Sequence, residues 1–321
     1  MTLPRPRSDL AATARIELLP VRDRADLEVW VAIRNQVAPD MAVSVEEALR
    51  SRRLHRERLQ LVALLDGEPA GVLDARPWPT HPRLPSLGCE LFVLPEARRR
   101  GVGRALYAAA SAWARERGAE TLDAFTFDAD PAGLGFARER GYVELERYRE
   151  VELDLRQVSA VHSPAPDAVE LTTLAERPDL ERPLHALVVS TLADLPGGAA
   201  PPPELPFALF REHVLDAPAF RREAAVLAVA GEELAGFAYL EVSPARPRVG
   251  RHRLTGVAPA WRGRGLARAL KEHQIAWAKA AGLELLVAEN EWRNEPIRRL
   301  NDRLGYRPRP DWVVMRGPLA S

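Results

Sequence analysis

A single cysteine, Cys89, occurs among 321 residues, so no intramolecular disulfide can form and a reducing compartment is expected. Net charge is also missing. The 45 basic residues balance 45 acidic ones, which removes the electrostatic case for a nucleic-acid or acidic-membrane partner. No run of 18 apolar residues occurs, and the charged stretch Met1–Ser8 has no apolar segment behind it. Neither a membrane span nor a secretory leader is expected, and the cytoplasm is the expected location. Lysine is almost absent (Lys271 and Lys279 only), a bias expected of a GC-rich genome. The seven histidines show no ligand spacing, so no metal is expected. What remains, 46% apolar and 28% charged residues, describes a globular chain with material for two cores.

Two cores are what the internal pattern indicates. Leu254-Thr-Gly-Val-Ala-Pro-Ala-Trp-Arg-Gly-Arg-Gly-Leu-Ala-Arg-Ala-Leu270 reads as a strand, a short turn and the opening of a helix. It has a copy in Leu91-Phe-Val-Leu-Pro-Glu-Ala-Arg-Arg-Arg-Gly-Val-Gly-Arg-Ala-Leu106. Val93, Gly101 and Gly103 lie 164 positions before Val257, Gly265 and Ala267, and the register runs on through Trp113 with Trp277 to Gly141-Tyr142 with Gly305-Tyr306. This period is far too long for a solenoid and indicates a duplicated domain. The expected units are residues 1–157 and 168–321, joined by a linker at 158–167 that contains Ser163-Pro-Ala-Pro-Asp167.

Local signals outline each unit. Asp23 is placed to cap a helix carrying Leu27, Trp30 and Val31, and Ser44 with Glu47 forms a capping box. Asp66-Gly67 joins two apolar strands as a hairpin. Val102, Leu106, Ala109 and Trp113 fall on one helical face that ends at Gly118, and Tyr142–Leu155 supplies the strands that close the first unit. The second unit repeats the order, so the expected fold class is α/β (α+β): two tandem domains, each a mixed, mostly antiparallel sheet flanked by helices. A dinucleotide-binding unit would alternate strand and helix more strictly.

The strand-to-helix turns are candidate anion sites. Successive backbone N–H groups converge there, the helix dipole adds positive potential, and small residues let a phosphate approach. The segment Arg98-Arg99-Arg100-Gly101-Val102-Gly103-Arg104 and its counterpart Arg262-Gly263-Arg264-Gly265-Leu266-Ala267 are the residues concerned.

These motifs, each preceded by Val-x-Pro, resemble the acetyl-CoA signature of the GNAT acetyltransferase superfamily. The second copy is followed by Asn290, Asn294-Glu-Pro296, Asn301 and Leu304-Gly-Tyr306, which strengthens the likeness, and the tandem arrangement is similar to that of mycothiol synthase. The resemblance implies acetyl-CoA as cosubstrate, its pantetheine arm between two splayed strands near Val257 (Val93 in the first unit) and its pyrophosphate on the turn amides. It implies Asn294 or Asn301 beside the pantetheine or the leaving thiol, with Asn290 close by. An amine of a small molecule or peptide would attack the thioester directly, so no enzyme nucleophile is required, and Cys89 is read as a buried small hydrophobe.

An amine with pKa near ~10 must lose a proton at a cost of roughly 4 kcal/mol at neutral pH, so a base is expected. Glu90 occupies the position where family members often keep a glutamate. In the second unit His252, Glu241 and Glu289 are the candidates. The tyrosine that would protonate the departing thiolate is replaced by Ala137 and Asn301. The candidate catalytic residues are therefore Glu90, His252 and Asn301. The asparagines favour catalysis in the second unit, by a monomer or homodimer; the alternative is a catalytically silent acetyl-CoA-binding sensor or scaffold. Asp194, before the proline-rich loop 196–203, is a further candidate to hold an acceptor ammonium.

Overall fold

A computed structural model of the chain describes residues 14–77, 86–158, 165–192, 205–291 and 293–321. The first repeat runs β1 (Ile16–Pro20), α1 (Arg24–Val37), α2 (Val45–Leu54), β2 (Leu59–Leu65), β3 (Glu68–Pro77), β4 (Ser86–Val93), α3 (Val102–Arg115), β5 (Thr121–Phe127), α4 (Pro131–Arg138) and β6 (Val143–Asp154). The second runs β7 (Glu170–Thr173), α5 (Glu181–Leu192), the single turn α6 (Phe207–Phe210), β8 (Val226–Ala230), β9 (Glu233–Glu241), β10 (Val249–Val257), α7 (Leu266–Ala280), β11 (Leu285–Glu291), α8 (Glu295–Arg303), the short β12 (Arg307–Pro308) and β13 (Trp312–Pro318). Asp194 and the loop 196–203 lie outside the described residues, as does much of the linker.

Local chemistry sets these boundaries. The Asp26 amide donates to Asp23 Oδ1 at 2.9 Å and starts α1. Ser44 and Glu47 satisfy each other's amides at 3.1 and 2.7 Å and start α2. Asp66 and Gly67 both take positive φ (56° and 92°), the geometry a two-residue hairpin needs to match strand twist.

The strands form one sheet in the order β1-β2-β3-β4-β5-β13-β6-β11-β10-β9-β8-β7, with β12 beside β6. Only β4–β5 and β10–β11 run parallel. The two repeats exchange their last strands. β13 lies between β5 and β6, pairing Trp312 with Phe127 and with Tyr148, while β6 pairs along β11. Tyr142–Leu155, read from sequence as closing the first unit, is therefore one strand that closes the second, and the strand of residues 312–318 closes the first.

The side chains explain why the exchanged strand is held. Val313 and Met315 are buried in the first-half core with Leu73, Leu106 and Leu122, each worth about 1.5–3 kcal/mol on burial. Arg316 donates from Nε and Nη2 to the two oxygens of the fully buried Asp123, at 2.7 and 2.8 Å. The second core gathers Leu184, Phe210, Phe237 and Tyr239 under α5. Trp113 is buried as a core anchor, and its counterpart Trp277 is half-buried.

Candidate active site

Both parallel pairs begin in register and then part. β4 and β5 are bonded from Ser86–Thr121 to Cys89–Ala124, β10 and β11 from Val249–Leu285 to His252–Ala288. Past those points β4 and β10 keep only their antiparallel neighbours, β3 and β9, so a wedge opens in each repeat. A three-residue turn follows each strand, and the arginine after it reaches back. Arg98 Nε donates to the Val93 carbonyl at 3.3 Å, and Arg262 Nε to that of Val257 at 3.1 Å. One edge of each arginine thus braces its own turn.

The turns have the same shape. Arg99 and Gly101 have φ of 61° and 94°; Gly263 and Gly265 have 74° and 83°. In the first repeat the helix's opening bond runs from the Ala105 amide to the Gly101 carbonyl at 3.0 Å. That leaves the amides of Val102, Gly103 and Arg104 directed along the axis. A Cβ on Gly103 would meet the Phe136 ring at 3.0 Å, so the helix end and α4 approach too closely for a side chain. Arg100 is spent on an exposed ion pair with Asp66, a contact of small energetic weight.

The wedge of the first repeat opens into a cleft of about 1100 Å³. The Arg98–Arg104 turn bounds one end; Glu90, Phe92, Phe125, Phe127, Trp312 and the segment Val37–Met41 bound the other. Glu90 is half-buried and faces Arg34, Nε to Oε2, at 3.7 Å. Cys89 is buried, and burial pushes its thiol up to about 12, so it stays protonated. Tyr107 and Tyr142 line the side next to α3, with phenols raised by burial. Tyr107, one turn beyond Gly103, was missed from sequence although its spacing would have placed it there. Trp312 was missed because only the strand exchange brings it to the first repeat.

In the second repeat the corresponding interior holds buried polar side chains. Lys271, the counterpart of Tyr107, is 2% exposed. Its ammonium donates to Asn301 Oδ1 at 2.8 Å and lies 5.1 Å from the Tyr306 ring centroid. Gln274 Nε2 donates to the Ala224 carbonyl, so its Oε1 accepts from His252 Nδ1–H at 3.1 Å. His252 Nε2 is then left to accept the Tyr306 hydroxyl at 2.5 Å. Burial, with the Lys271 charge second, holds His252 well below its ordinary value. It is a neutral, doubly bonded core residue, which corrects the expectation of an acceptor-side base. Asn301 is likewise buried, with its Oδ1 accepting from Lys271. Asn290 is buried too, and the side-chain amides Nδ2 of both asparagines find no partner among the described residues. Asn294 caps α8 through its carbonyl, which accepts the Arg298 amide at 3.2 Å. Glu241 pairs with Arg253, and Glu289 with Arg251.

The buried lysine makes stability depend on pH. Burial lowers Lys271 from 10.5 to about 7. Between those values the unfolded chain holds a proton that the folded protein has released, so stability rises with pH and is lost as pH falls toward 7. The melting temperature is expected to climb by roughly 5 °C or more from pH 7 to 9.5. Lys271→Met, which has no proton to lose, should flatten that rise in a thermal melt series.

The sequence profile of the acetyltransferase (GNAT) family matches residues 29–142 and again residues 192–306, once over each strand-turn-helix site. The chain belongs to the GNAT family. A curated relative, the mycothiol acetyltransferase of Catenulispora acidiphila, is 30% identical over 224 residues, 68% of each chain. Among solved structures, a tandem GNAT protein from the clavulanic acid biosynthesis pathway superposes with a TM-score of 0.78 at 20% identity, covering 96% of this chain and 99% of that one. A GCN5-related N-acetyltransferase from Sphaerobacter thermophilus does so with 0.72 at 19% identity, over 95% and 96%. As a GNAT protein with two repeats, the chain is an acyltransferase of mixed α/β fold. No described helix is long and apolar enough to cross a membrane.

Proposed function

We propose that the chain is an acetyl-CoA-dependent N-acetyltransferase acting on an amine, with turnover in the first repeat. The observation that carries this reading is the open cleft running from the Arg98–Arg104 turn to Glu90, against a second-repeat interior taken up by Lys271 and Asn301. The sequence preference for the second repeat rested on asparagines, and the most central of these is occupied. Acetyl-CoA supplies an activated thioester. The Val102–Arg104 amides take its pyrophosphate, the wedge beyond Cys89 takes the arm, and Glu90 removes the amine's proton, directly or through one water. Tyr107 and Tyr142 are the phenols on the α3 side of the cleft, and because Tyr107 already donates to the Pro318 carbonyl at 2.5 Å, Tyr142 is the candidate donor to the departing sulfur.

Glu90→Gln tests the assignment. The rate of thiol release with an amine panel should fall about a hundredfold, while calorimetry shows acetyl-CoA affinity retained. Unchanged turnover would remove Glu90 from the reaction. Acetyl-CoA binding with no thiol release from the wild-type protein, for any amine, would favour the silent sensor instead.

A further inference from the structure

The acceptor end of the first-repeat cleft has a chemistry of its own, set by strand register. Alternation beyond the last β4–β5 pair, Cys89–Ala124, puts Glu90 and Phe92 on the same face as Phe125 and Phe127, and all four line the cleft. Antiparallel pairing of Phe127 with Trp312 adds the indole of the exchanged strand to that face. The opposite face carries Ala124, Thr126, Val313 and Met315, three of which pack into the core under α3. The Trp312 ring centroid lies 4.4 Å from that of Phe127 and 5.6 Å from that of Phe125. All three rings are half-buried and line the cleft.

The charged groups around this wall are largely committed to one another. Asp40 is held by Arg246 and Arg309. Glu150, 1% exposed, is held by Arg251 and Arg309 and accepts the Trp312 indole N–H at 3.4 Å. Glu90, whose cation Arg34 stands 3.7 Å away, is the carboxylate of this chamber set beside the wedge. Two of the three aromatic positions are not shared with the other repeat. At the 164-residue offset Phe125 and Phe127 become Glu289 and Glu291, and Trp312 becomes Tyr148.

We propose that the Phe125–Phe127–Trp312 wall makes the first-repeat cleft selective for amines carried on a flat apolar body, an arylalkylamine being the simplest. The inference rests on reading that cleft as the acetyl-transfer site. A ring stacked or set edge-on against this wall gains contact area that an open alkyl chain or a polyamine cannot match, and a second charge would be stripped of water there.

Equilibrium binding separates this inference from the function it deepens. Calorimetry with 2-phenylethylamine, n-butylamine and 1,4-diaminobutane, in the presence of coenzyme A, should show the aryl amine bound about tenfold or more tighter than either. Phe127→Ala should reduce that preference to within about threefold. Should this variant not fold, Phe127→Leu, which keeps apolar volume without a ring face, should do the same. Equal affinities in the wild type, or a preference that survives loss of the ring, would overturn the proposal. Selective binding without thiol release would instead uphold the wall and sink the transferase assignment.

Discussion

Gly101→Glu should abolish acetyl-CoA binding in the first repeat and with it thiol release, whereas Gly265→Glu should leave most turnover in place. Gly101 has φ of 94°, a region that L-residues avoid, and a Cβ there would stand 3.2 Å from Ile16 Cδ1. A glutamate would therefore strain the turn and bring a carboxylate to the amides proposed for the pyrophosphate, where like charge opposes it. A loss of about a hundredfold or more in affinity, near 3 kcal/mol, is expected from the two effects together. Gly101→Ala isolates the strain: it should weaken binding far less. Gly265 has the same backbone shape, φ 83°, so a glutamate strains that turn as well, but the open space around it leaves the neighbouring packing undisturbed. Turnover lost with Gly265→Glu and kept with Gly101→Glu would place catalysis in the second repeat and require the Lys271–Asn301 contact to open.

The second large effect concerns stability. Asp123 is fully buried and receives two hydrogen bonds from Arg316 on the exchanged strand. Arg316→Ala would leave a buried carboxylate without its main cation, a change that typically costs 3–5 kcal/mol and lowers the melting temperature by about 10 °C. The double variant Asp123→Asn/Arg316→Ala should recover part of that loss, because no buried charge is then stranded. A melt within about 1 °C of the wild type would mean that solvent screens the pair and that apolar burial alone holds the strand.

Much of the repeat was legible in advance because its signals are local. The Asp23 and Ser44 caps, the Asp66-Gly67 hairpin and the glycine turns each depend on residues within a few positions of one another, and all are found as expected. The strand exchange was not legible. A strand's alternation says which of its faces is buried, not which edge it joins. Lys271 was overlooked for a related reason: it sits among Arg268, Glu272 and His273, which gave no reason to look for a buried charge, yet α7 turns it inward against α8. The reading of His252 failed because its two partners, Gln274 and Tyr306, lie 22 and 54 residues away. The aromatic wall needed both β5 and a strand 185 residues further along the chain, 312 minus 127.

The exchange also sets an order on biosynthesis. During translation β1 to β5 can pair as soon as they leave the ribosome, but the slot beside β5 stays empty until residues 312–318 have been made, after every other described strand. Through that interval β5 presents an unpaired edge to the crowded cell, and the cleft lacks Trp312 and Met315. A nonsense codon near position 310 would leave all of the first repeat's own residues intact and still deprive it of its last strand.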